Sequence, residues 1–81
     1  MNNYIATFFS HYDALIFCDY LRQQAIKAKM MPVPRKVNSS CGTCVAYATD
    51  LELNFDGHEI EAIFLKTADG FVTVEHFQKI P

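Results

Sequence analysis

Several large functional classes are excluded by what this chain lacks. No apolar run approaches the length of a membrane span, and no signal-peptide h-region follows the polar Met1-Asn2-Asn3. A cytoplasmic protein with no membrane partner is the expectation. A basic excess is also missing. Seven Lys and Arg stand against nine Asp and Glu, a net charge of −2, which argues against nucleic acid as a partner. Only one Cys-x-x-Cys pair occurs among three cysteines. One pair supplies half of a structural zinc site, so no metal and no cofactor is expected. In a reducing compartment the three thiols are expected to be free rather than held in a structural disulfide. There is no nucleotide-binding loop, no general-acid cluster, no internal repeat and no low-complexity segment. A turnover enzyme is therefore not indicated.

What is present suits one small folded domain over 1–81. Half of the residues are hydrophobic and 14% are aromatic, which excludes disorder. Tyr4 to Phe9 reads as a strand buried on both faces. Ser10 then reads as a helix N-cap, with Asp13 at the capping-box position. From His11 to about Ala25, Ala14, Leu15, Cys18, Leu21 and Ala25 recur at helical spacing. Lys29 to Val33 reads as a strand that Pro32 and Pro34 confine to an edge. Thr43 to Thr49 alternates as a third strand.

Asp56-Gly57-His58-Glu59 is read as a second helix start. Ile60, Ile63, Phe64 and Thr67 follow at helical spacing, and Gly70 closes the helix. Phe71 to Phe77 is the last strand. The order predicts an α+β, ferredoxin-like βαββαβ fold, a four-stranded antiparallel sheet with two helices on one face. That topology brings the loop between strands 2 and 3 to the start of the first helix.

The chemistry concentrates in that loop. Cys41-Gly42-Thr43-Cys44 follows Pro34-Arg35-Lys36 and Ser39-Ser40. A thiolate is the nucleophile, and nearby cations and free amides stabilise it. Cys41 is the leading reactive thiol. Arg35 and Lys36 are read as lowering its pKa and steering an anionic donor. The amides around Ser39, Ser40 and Gly42 are read as an anion nest, with Gly42 free to adopt a positive φ. His11, in the first helical turn, is a candidate proton partner. Three readings of Cys44 stand open: a resolving thiol, a metal ligand completed by a homodimer or by His11, or a small residue opening strand 3. Cys18 is read as core, Met30 and Met31 as edge-strand packing, His58 and His76 as surface. Phe8, Phe9, Tyr47, Phe71 and Phe77 are read mostly as core.

Ser10, Ala14-Leu15, Pro32-Val33-Pro34-Arg35 and Ser39-Ser40-Cys41-Gly42, taken together, resemble the selenium/sulfur (Se/S) carrier-like family, DUF3343, along nearly the whole chain. The resemblance implies a ferredoxin-like cytosolic protein whose Cys-Gly cysteine, here Cys41, carries or relays sulfur or selenium. It implies sulfur or selenium donor and acceptor proteins as partners. It implies nothing for Cys44. Two other functions fit the sequence: a dithiol redox protein using Cys41 and Cys44, and a non-catalytic binding or regulatory module using a helix-free sheet face. That face would suit a partner or a homodimer.

Overall fold

A computed structural model describes residues 1–51, Leu53, Phe55 and 57–76; for Glu75 and His76 only the backbone is described. The elements are β1 (Asn2–Thr7), α1 (His11–Gln23), β2 (Lys27–Pro32), β3 (Thr43–Thr49), β4 (Ala62–Thr67) and β5 (Gly70–His76). The strands form one antiparallel sheet in the order β2-β3-β1-β4-β5. The α+β class holds, but among the described residues there are five strands and one helix rather than four and two.

The correction falls on residues 60–70. Ala62 to Thr67 pairs with the free side of β1, Ala6 facing Ile63 and Tyr4 facing Leu65. It turns back into β5 through Ala68-Asp69, with Thr67 opposite Gly70. A short apolar run fits period 2 and period 3.6 almost equally. The unsatisfied edge of β1 decides between them, because a central strand needs a ladder on both sides. Gly70, read as a helix stop, instead opens β5 with φ +148°. Asp56, expected as a cap, and Phe77, expected in the last strand, lie outside the described residues.

Elsewhere local chemistry determined the elements. Ser10 caps α1: its Oγ accepts from the Asp13 amide at 3.2 Å and donates to Asp13 Oδ2 at 2.7 Å. The helix ends earlier than expected. Ala25 sits at φ +61°, its amide donates to Arg22 O, and the Ile26 amide donates to Leu21 O. This is a Schellman ending with alanine where glycine is usual. Arg22 then ties the helix end to β2, its guanidinium donating to Ala28 O at 3.3 and 3.2 Å. β2 is an edge strand, as Pro32 at its end requires.

Ala14, Phe17, Cys18 and Leu21 form the buried face of α1, while Leu15 is 44% exposed, contrary to the periodicity reading. Phe17 centres the core, with ring centroids 5.4 Å from Phe8, 5.9 Å from Tyr47, 5.4 Å from Phe55 and 5.5 Å from His58. His58 is thus not a surface residue; it is half-buried against Phe17 and Tyr20. Where a second helix was expected, Leu53, Phe55, His58 and Ile60 cover this side of the sheet instead.

Candidate functional site

The loop from residue 33 to residue 42 joins β2 to β3 at the end of the sheet where β1 delivers the chain into α1. Its neighbourhood is the one the topology predicts. Ser39 Oγ donates to Phe8 O at 3.4 Å, and His11 Nδ1 lies 3.3 Å from Thr43 Oγ1. The loop is closed at its base by the Val33 amide donating to Gly42 O, and tightened by the Val37 amide donating to Pro34 O. Val37 is buried and anchors its middle. Gly42 takes φ +76°, the conformation its lack of a side chain permits.

Cys41 is half-buried against the helix-side core, with Sγ 3.4 Å from Thr43 O. Thr43 therefore touches both candidates: its carbonyl accepts from Cys41, and its hydroxyl meets His11. Cys41 and His11 approach this one residue from two sides.

Cys44 is different. Thr43 turns toward α1, so the alternation of β3 sends Cys44 to the opposite face. There it is fully buried, with Sγ 3.7 Å from Pro32 O. Burial, and then the nearby Cys41, push its thiol up to about 11. A thiol so held stays protonated at neutral pH, which is poor chemistry for a resolving or metal-binding sulfur. Its surroundings fit the reading of a small residue in strand 3. Cys18 is buried on α1, as expected. All three cysteines are free.

Where the anion nest was expected, Ser40 is engaged by a carboxylate of the protein itself. The Ser40 amide donates to Glu61 Oε1 at 3.2 Å, and Ser40 Oγ donates to Glu61 Oε2 at 2.5 Å. Glu61 is held in turn by its own amide, which donates to Thr7 O at 2.8 Å. Sequence reasoning missed Glu61. It stands 21 residues from Ser40 in a stretch taken for helix, and no local signal marks it.

The two loop cations separate. Arg35 is exposed on the turn. Lys36 runs across the helix-free face, where a Cβ on Gly70 would stand 3.9 Å from Lys36 Cδ and 4.0 Å from its Nζ. Gly70 lies level with the start of β1, whereas the cysteine loop lies level with its end. Lys36 also lines a recess with Asn38, Ser39, Ser40 and Glu61, so it stays beside the loop.

Among the described residues no group of three or more His, Cys, Asp or Glu is placed to hold a metal ion. No described helix is long and apolar enough to cross a membrane. The family model described as "Putative Se/S carrier protein-like" matches residues 3–64, which includes the whole loop, Cys41 and Glu61. No curated protein and no solved structure matches the chain.

Proposed function

The chain belongs to the Se/S carrier-like family, and on that premise we propose that it is a sulfur or selenium carrier whose working atom is Cys41 Sγ. The observation that carries the assignment is solvent access. Cys18 and Cys44 are 1% and 0% exposed, and Cys41 alone of the three retains a path to a donor.

The transfer is a thiolate–persulfide exchange. The Cys41 thiolate attacks the terminal sulfur of a donor R–S–SH. The donor S–S bond breaks, R–S⁻ leaves, and Cys41 becomes Cys41–S–SH. An acceptor thiolate then attacks the outer sulfur and releases Cys41 as a thiolate. No net oxidation occurs in either step. Partial burial protects the persulfide between donor and acceptor proteins. His11 is the proposed proton partner, held beside the loop by the Thr43 hydroxyl. Arg35 and the Gly42 amide are the proposed cargo contacts. Ser39 and Ser40 instead hold the loop, since Phe8 O and Glu61 engage their hydroxyls.

Incubating the reduced protein with a cysteine desulfurase and radiolabelled cysteine tests this. We expect one thiol-releasable sulfur per chain, retained in Cys18→Ser and Cys44→Ser and lost in Cys41→Ser. Equal labelling of Cys41→Ser would overturn the assignment.

A further inference from the structure

The face of the sheet opposite α1 carries a feature that sulfur transfer does not use. Strand register sets its side chains in cross-strand rows. Lys27, Ala48, Asn3, Lys66 and Phe71 form one row, and Lys29, Ala46, Ile5 and Phe64 form the next. A groove of about 700 Å³ lies along these rows, with Ile5, Ala46 and Ala48 in its floor. Small residues on the two central strands create the hollow. Long cationic residues bank it, Lys27 and Lys29 on β2 and Lys66 on β4.

The charge distribution is lopsided. The whole chain has a net charge of −2, yet three of its five lysines line this groove. No described Asp or Glu lines it. Among the described residues, none of these lysines makes an ion pair. Three ammonium groups around an apolar floor are complementary to a ligand with an apolar stripe and acidic flanks.

Size narrows the class. β2 and β4 are three strand spacings apart, roughly 14 Å. An α-helix with its side chains is roughly 10–12 Å across, and packing a helix on a sheet face is the usual way to cover one. Single-stranded RNA fits less well. On this face β1 and β3 present Asn3, Ile5, Ala46 and Ala48, and its aromatic side chains, Phe64 and Phe71, lie to one side on β4 and β5 rather than on a central stacking platform.

We propose that this groove is a docking site for an acidic amphipathic helix of a partner protein. Its apolar stripe lies on Ile5, Ala46 and Ala48, and its carboxylates meet Lys27 and Lys29 on one bank and Lys66 on the other. The proposal is independent of Cys41.

Fluorescence anisotropy tests it, with a labelled peptide of about 18 residues bearing a leucine stripe flanked by glutamates. The controls are a scrambled peptide of the same composition and an oligouridylate. We expect saturable binding of the striped peptide, weakened by salt. Lys27→Glu/Lys29→Glu and, separately, Lys66→Glu each lower affinity at least about tenfold, the change expected from losing desolvated charge contacts. Circular dichroism should confirm that these exposed substitutions leave the fold intact. Equal binding of the scrambled peptide, or binding unchanged in the lysine variants, would overturn the proposal. So would preferential binding of the oligouridylate. Self-association of the protein that the same substitutions abolish would assign the groove to a second copy, and also overturns it.

Discussion

Glu61 grips Ser40 at two points, its carboxylate receiving both the backbone amide and the hydroxyl of the residue that precedes Cys41. The loop that carries Cys41 is therefore pinned from outside, by a residue on the approach to β4. Glu61→Ala should cost about 1–2 kcal/mol, as expected for two exposed hydrogen bonds to a carboxylate. The larger effect is local. Amide exchange at 39–42 should quicken, and Cys41 should alkylate faster while Cys18 remains protected. Hydrogen-exchange mass spectrometry with timed alkylation reads both, and unchanged exchange at these amides would refute the pin.

Cys44 has a pH signature. Its thiol loses its proton near 9 in the unfolded chain but near 11 in the folded one. Between these values the unfolded state binds fewer protons, so stability falls as pH rises. Burial also raises the Tyr47 phenol, which adds to the same trend at the alkaline end. We expect the urea midpoint to decline from pH 9 to pH 11, and Cys44→Ala to decline less steeply. The same burial keeps Cys44 unalkylated at pH 8 in the folded state, a result that peptide mapping would check.

Gly42 closes the loop with a positive φ and has open space where a Cβ would go. Gly42→Ala therefore meets no clash, and its cost is the backbone alone, about 1–2 kcal/mol. Gly42→Asn should cost less, because asparagine tolerates that conformation. If both substitutions prove equally costly in thermal unfolding, the left-handed geometry is not the reason.

Ala25 gives the opposite case, a left-handed helix ending without glycine. Ala25→Gly should stabilise the protein by about 1 kcal/mol by removing that strain. Chemical denaturation should show a higher midpoint at an unchanged slope.

The parts of the fold that were legible share one property: their determinants are adjacent in the chain. Ser10 and Asp13 start α1 within one turn. Pro32, which cannot donate to a ladder, marks β2 as an edge. Thr43 to Thr49 alternates cleanly, and the strand matches its expected bounds. The misreadings also share a property. Ala62 to Thr67 was ambiguous by period, and the free edge of β1, some sixty residues away in sequence, made it a strand. Leu15 belongs to the expected helical stripe and Phe17 does not, yet the aromatic cluster with Phe8 and Tyr47 selects Phe17.

The site divides in the same way. Sequence alone singled out this loop as the candidate site, because two thiols, two serines, a glycine and two cations lie within one short segment and their reactivity depends on residue type. Only the tertiary structure decided where each of them stands. Strand alternation sends Cys44 into the interior while Cys41 keeps access to solvent. Folding also brings Glu61, distant in sequence, onto Ser40, where its carboxylate accepts two hydrogen bonds. These outcomes are set by which surfaces the sheet brings together, and spacing along the chain does not encode that.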